Sequence, residues 1–228
     1  MKLSVTTSRQ ELLLGSIYMV LDLLILPSLL VSVNSLLRVP FSPLWLNVLF
    51  FTLNFIVLLL VFRRFLAASF YRMKQQSSRI ISTILAGLLY YWGSNLLLGI
   101  LMEIMHWDVS NVNDASISAM AEENFPIIAA ATILLVPTAE ELLYRGVLFQ
   151  GFYNKNRLAA YLVSTAAFCV IHVLGYIGAY PAPTLLLCCL QYIPAGLCLG
   201  WAYAKSDSIF TPIIMHTLIN ALGIFTLR

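Results

Sequence analysis

The chain has 228 residues, 61% of them hydrophobic and only 10% charged, with a net charge of +3 and a mean hydropathy of +0.89. Soluble domains are nearer half apolar and a quarter charged, so the composition excludes an ordinary soluble enzyme and implies a polytopic membrane protein. The small, scattered positive charge excludes a nucleic-acid partner: no basic stretch is interleaved with aromatics, and no Gly-rich phosphate loop is present.

A membrane span needs roughly 20 apolar residues. In chain order, seven segments qualify: about 12–33, 43–62, 80–102, 125–152, 158–179, 182–204 and 209–226. The first is too long for a signal-peptide core and no small-residue cleavage site follows it, so it is expected to be a retained span. It carries one acid, Asp22, which suits either a polar relay or a helix-packing contact. Short polar breaks separate the segments, among them RRFLAASFYRMKQQSSR and HWDVSNVNDASISAMAEEN. The expected fold is all-α, one membrane domain over 1–228 with the N-terminus in the cytoplasm. Residues 1–124 form the N-terminal helices and 125–228 a core in which helices 4, 5 and 7 build the site.

Orientation follows from the basic residues, which favour the cytoplasmic side. On this topology Lys2, Arg9, Arg63, Arg64, Arg72, Lys74, Arg79, Lys155, Arg157 and Lys205 lie inside. Only Arg38 and Arg228 lie outside, and the loop with Asp108, Asp114, Glu122 and Glu123 is external. The four cysteines (Cys169, Cys188, Cys189, Cys198) sit in apolar segments without CxxC spacing, so they are expected to be core residues.

The informative residues are polar groups inside spans, where a charge costs from about 2.5 to more than 10 kcal/mol and is kept only for use. The fourth segment holds PTAEELLYRG, with Glu140, Glu141 and Arg145; the fifth holds His172, and the seventh His216 and Asn220. His106, by contrast, falls in the external loop as a solvated side chain. At 1.5 Å rise per residue, Glu140 lies near the midplane, His216 within about 2 Å of it and His172 about 6 Å to the outer side. Phe168 and His172, His216 and Asn220, and Glu141 and Arg145 are all i, i+4 pairs, each sharing a helix face. Glu140 is rotated about 100° from Glu141. Arg145 is therefore expected to neutralise Glu141 while Glu140 points into the bundle. Three uses fit such a set: interhelical hydrogen bonds that hold a scaffold together, a transporter's proton relay, or catalysis.

The three clusters resemble the motifs of the CPBP family (CAAX protease and bacteriocin-processing, also called Abi) of intramembrane glutamic endopeptidases. That family shows EExxxR, FxxxH and HxxxN or HxxxD on successive membrane helices. Here they stand as Glu140-Glu141-x-x-x-Arg145, Phe168-x-x-x-His172 and His216-x-x-x-Asn220. The resemblance covers about Pro126 to Leu222; the first three spans match nothing in it, and that half is variable in the family. It implies peptide-bond hydrolysis in the membrane, with Glu140 as general base on water, His172 assisting, and His216 and Asn220 stabilising the oxyanion. Glu141, Arg145 and Phe168 support them. No cofactor is implied. Zinc is the rival, since two histidines and a glutamate are a plausible ligand set, but HExxH is absent and Asn is a poor zinc ligand. The partners implied are the lipid bilayer and a peptide or protein substrate, lipidated or membrane-bound, in CAAX-tail cleavage, bacterial peptide processing or bacteriocin immunity. Short loops suit a multi-pass protein of a prokaryotic plasma membrane.

Overall fold

A computed structural model describes residues 2–107 and 110–226. Asp108 and Arg228, both used in the charge count, lie outside the described residues. The described chain is helical, with no strand beyond an isolated bridge between Ile177 and Tyr180. Its helices are α1 (Arg9–Leu24), α2 (Leu26–Ser35), α3 (Pro43–Val61), α4 (Arg63–Gln75), α5 (Ser77–Ile104), α6 (Val112–Tyr153), α7 (Arg157–Leu174), α8 (Ala182–Ser206) and α9 (Phe210–Thr226). The protein is a multi-pass membrane protein. Its outer surface is apolar, with Leu60, Leu89, Leu97, Leu158 and Leu186 among many exposed large side chains, as lipid contact requires.

Five of these helices are long and apolar enough to cross a membrane, and the pair α1–α2 makes a sixth if counted as one bent span. The expected count of seven is therefore not reached. α9 has 17 residues and falls among the shorter apolar helices. The first expected span is bent by 47° between α1 and α2. Pro27, at the start of α2, lacks an N–H and crowds the carbonyl four residues back.

Two expected polar breaks are helices. RRFLAASFYRMKQ forms α4 because Phe65, Leu66 and Met73 share a face that packs on the core, with Phe65 and the small Ser69 buried. Its outer surface carries Arg63, Arg64 and Lys74 beside exposed Phe70 and Tyr71, the pattern of a helix lying at a membrane interface. The acidic loop is helical from Val112, capped by the Asn111 side chain, which accepts the N–H groups of Asn113 and Asp114. α6 then breaks at Asn124, which has non-helical φ/ψ just ahead of Pro126, and the Asn124 side chain caps the following turn by accepting from Ile127.

Polar contacts fix one end of the bundle. Glu11 closes a capping box with Ser8 and also accepts the Phe65 N–H at 2.9 Å, so one carboxylate caps both α1 and α4. Asp207, in the left-handed conformation after α8, accepts the Ser4 N–H and hydroxyl and pairs with Arg72 at 3.3 Å. Gln150 accepts from Thr7 and donates to the Val5 carbonyl and the Tyr203 hydroxyl. These bonds place the N-terminal segment, α4, the C-terminal ends of α6 and α8 and the start of α9 together. Of thirteen Lys and Arg in the chain, ten cluster at this end (Lys2, Arg9, Arg63, Arg64, Arg72, Lys74, Arg79, Lys155, Arg157 and Lys205).

Above this end, α8 runs along α7 and α5, while α9 packs on α5 and on the first half of the apolar part of α6. Without a hydrophobic drive between helices in lipid, small residues and close packing hold them. At Gly15 of α1 an added Cβ would lie 2.5 Å from Phe62 and 2.9 Å from Val147, and Phe62 is fully buried. Gly15→Ala is therefore expected to cost about 1–3 kcal/mol, the usual overpacking penalty, seen as a lower unfolding temperature in detergent. Gly93→Ala, where a Cβ meets nothing within 4 Å, serves as the control and should not lose stability. Equal unfolding temperatures for the two variants would show that α1 is not held against α3 this closely.

Candidate active site

Glu140 and Glu141 of α6 lie between two widened, π-helical stretches, Ala131–Leu135 and Leu142–Phe149, the second of which contains Arg145. Such turns change the angular phase of the residues beyond them and often occur at functional sites. Here they hold Glu140 and Glu141 on different faces. Glu141 is fully buried and its Oε1 accepts Arg145 Nη1 at 2.8 Å, the ion pair expected from the spacing. Arg145 is also fully buried; it donates through Nη2 to the Gly196 carbonyl of α8 at 3.0 Å and lies over the Phe168 ring at 4.8 Å. Glu140 faces the other way, into a cavity of about 500 Å³.

The same Glu141 Oε1 accepts a second bond, from His216 Nδ1 of α9 at 2.9 Å. An ionised carboxylate can only accept, so Nδ1 carries a proton and Nε2 is left facing Glu140 at 3.9 Å. His172 is tied in the same way: Nδ1 lies 2.7 Å from the Phe168 carbonyl one turn earlier, which makes it the donor and leaves Nε2 bare. A neutral His216 therefore has no N–H to offer an oxyanion. It becomes a donor on the cavity side only as an imidazolium, a condition the sequence does not reveal.

Asn220 donates to the Thr132 carbonyl at 2.9 Å. The cause is in the backbone. In the π register the Val136 N–H reaches back to Ala131, so the next donor in line for Thr132 would be residue 137, a proline without an N–H. Asn220 satisfies the carbonyl that Pro137 leaves bare, and its second N–H remains for another acceptor.

Glu140, Phe168, His172, His216 and Asn220 all line the cavity. Phe168 contacts both imidazoles, at 4.7 Å from the His172 ring centroid and 5.7 Å from that of His216. Asp22 is buried on α1 but is not part of the lining. Several participants escape sequence reading. Tyr192 of α8 stacks on His172 at 4.0 Å and donates to Asn111 at 3.0 Å. The carbonyls of Thr132 and Gly196 orient Asn220 and Arg145. Pro137 is a usable signal for the first carbonyl; nothing local marks the second. For zinc the donors do not converge: among the described residues no three His, Cys, Asp or Glu side chains form a group able to hold a metal ion.

Comparison with known proteins bears on the same stretch. Residues 122–222 match the family model described as "Type II CAAX prenyl endopeptidase Rce1-like". Every motif residue, from Glu140 to Asn220, falls inside the matched segment, in keeping with the CPBP resemblance. Over 100 residues the chain is 31% identical to "UPF0177 protein YxdF" of Lactococcus lactis subsp. lactis (strain IL1403), covering 43% of this chain and 50% of that protein. Over 96 residues it is 27% identical to "Putative membrane peptidase YdiL" of Bacillus subtilis (strain 168), covering 42% of this chain and 35% of that protein. The chain thus spans half the length of the first relative and about a third of the second. No solved structure matches significantly.

The two glutamates differ in what their loss should do. Removing the charge of Glu141 or of Arg145 leaves its partner buried and unpaired, at a cost of roughly 3–5 kcal/mol. Glu141→Gln and Arg145→Ala are expected to lower the folded yield and the unfolding temperature in detergent. Glu140→Gln, which faces the cavity, should keep both near the values of the unsubstituted chain. Equal stability of all three variants would contradict this assignment.

Proposed function

We propose that the protein is an intramembrane endopeptidase in which Glu140 activates water for attack on a peptide carbonyl. The observation that carries this reading is the convergence of Glu140, His172, His216 and Asn220 on one cavity, with Glu140 the carboxylate left unengaged by Arg145. A carboxylate facing the cavity can deprotonate a water molecule held there. Glu140 takes that proton as the hydroxide adds to the carbonyl carbon. His172, with Nε2 bare, is placed to accept a hydrogen bond from the same water and to orient it. The tetrahedral oxyanion is met by the free N–H of Asn220 and by His216 as imidazolium. The charges then balance: Glu140 and Glu141 against Arg145 and His216, a neutral set in a medium that penalises net charge. Collapse transfers the proton from Glu140 to the leaving nitrogen, the C–N bond breaks, and an acid and an amine are released.

On this reading no metal enters any step, and the substrate is a peptide or protein rather than the bilayer lipid. Lipidation of the substrate, CAAX processing and a bacteriocin role are variants of one chemistry.

The test uses purified protein in detergent and a peptide library read by mass spectrometry. Cleavage is expected for the unsubstituted chain and none for Glu140→Gln. Asn220→Ala should lower kcat by about a hundredfold or more, the loss for one oxyanion donor, with little change in KM. Incubation with 1,10-phenanthroline should leave the rate intact. Inhibition by the chelator, reversed by added zinc, would replace the glutamate mechanism with a metal one. Biological activity surviving Glu140→Gln would refute catalysis altogether and favour a scaffold.

A further inference from the structure

The cavity has two ends, and they differ. At the basic end the N-terminal segment, α4 and the 206–209 turn close the bundle: Ser206, Ser208, Ile209 and Tyr203 are fully buried. Ser208 donates to the Ser69 carbonyl at 3.1 Å, and Leu3 donates its N–H to Asn154 at 3.0 Å. Among the described residues no member of this plate lines the cavity.

The lining instead runs toward the opposite end. It includes Gly99 and Met102 near the end of α5, Asn113 and Asp114 in the first turn of α6, and Gly223 and Thr226 at the end of α9. Gly99, Asp114, Gly223 and Thr226 are exposed, whereas the lining near Glu140 is buried or half-buried. The cavity therefore descends from the end that lacks the basic cluster to the glutamate at mid-depth. Arg38 is the one described Lys or Arg assigned to that end. Ten cations at one end and one at the other mark the basic end as cytoplasmic.

The lining also indicates what it can hold. Five carboxamides face the cavity (Asn95, Asn111, Asn113, Gln191 and Asn220), with two acids, Asp114 and Glu140, and no Lys or Arg. Asn95, Asn111, Gln191 and Asn220 spend part of their capacity on bonds within the protein, and what remains, with Asn113, offers donors and acceptors that complement a peptide bond. With no Lys or Arg in the lining, the imidazoles of His172 and His216 are the groups there able to carry positive charge, and both are assigned to the reacting atoms rather than to a free C-terminal carboxylate or a phosphate.

We infer that the cavity is loaded from the extracytoplasmic face, and that its substrate is an internal stretch of polypeptide exposed there, held through its main chain. This rests on the endopeptidase reading for the cleavage, but the route of entry can be tested without it.

Cysteine labelling reads the route directly. Gly99→Cys and Gly223→Cys place thiols on the lining from two different helices, and at each a Cβ meets nothing within 4 Å. Gly151→Cys, equally unobstructed, marks the basic end, and Gly93→Cys marks the surface of α5 away from the cavity. The unsubstituted chain, whose four cysteines lie off the lining, sets the blank. In right-side-out vesicles from a bacterial host, a membrane-impermeant maleimide should label Gly99→Cys and Gly223→Cys. Gly151→Cys should label only in inverted vesicles. Gly93→Cys should react about tenfold or more slowly than the lining positions, because the reactive thiolate forms only where water reaches. Labelling of both lining positions only from the face that labels Gly151→Cys, or from neither face, would overturn the inference.

A second arm adds a cleavable library peptide to the same sealed vesicles. Cleavage in right-side-out vesicles alone is expected. Cleavage in inverted vesicles alone would overturn the route while keeping the protease. No cleavage from either side, with labelling as expected, would remove the protease and keep the route.

Discussion

A carboxylate buried in a lipid-embedded bundle must be matched by charge and hydrogen bonds or it unfolds its surroundings, and Glu141 is matched by two residues through one oxygen. Its Oε1 accepts Arg145 from one turn below and His216 from α9. The guanidinium extends the bond network to the Gly196 carbonyl and rests on Phe168. Four helices are thereby joined at one point: α6, α7, α8 and α9. The positions of Glu140 and of the open nitrogen of His216 both depend on that junction. The glutamate that faces the cavity is placed by the one that does not.

Such an arrangement explains how a site can be firm without a hydrophobic drive between its helices. Phe168, nearly fully buried, is in contact with Arg145, Tyr144, His172 and His216. Gly196 allows α8 to approach α7 so closely that a Cβ there would stand 2.7 Å from Thr165, which keeps its carbonyl within reach of Arg145. Both imidazoles are held by Nδ1, so both present Nε2 as the free nitrogen. A ring tied at one nitrogen cannot rotate into its other tautomer without losing a buried bond.

Much of this is legible in the sequence because helical spacing is local. The i, i+4 rule gives the Glu141–Arg145 pair and sends Glu140 elsewhere; the same rule puts Phe168 with His172 and His216 with Asn220. The polarity contrast gives the helical segments. The features that stay hidden depend on contacts between distant residues or on backbone atoms. Tyr192 is one of eleven tyrosines, and only the packing of α8 on α7 selects it. The carbonyls of Thr132 and Gly196 carry no side-chain signature. α4 reads as a polar break because its many charges outweigh a one-turn apolar face, and the bend at Ile25 escapes a hydropathy reading although Pro27 announces it.

The bond between Asn220 and the Thr132 carbonyl links two places far apart in the chain. Residue 137 is a proline, so a backbone oxygen in α6 lacks its own donor; residue 220 supplies one from α9. A carboxylate at 220 would instead set two acceptors face to face unless it held a proton. An amide N–H at 137 would release residue 220 from the obligation. The identity of position 220 is thus conditional on that of position 137, and neither can be exchanged between related sequences without considering the other. In chains with a proline here, asparagine is the choice that keeps a donor in place at every pH.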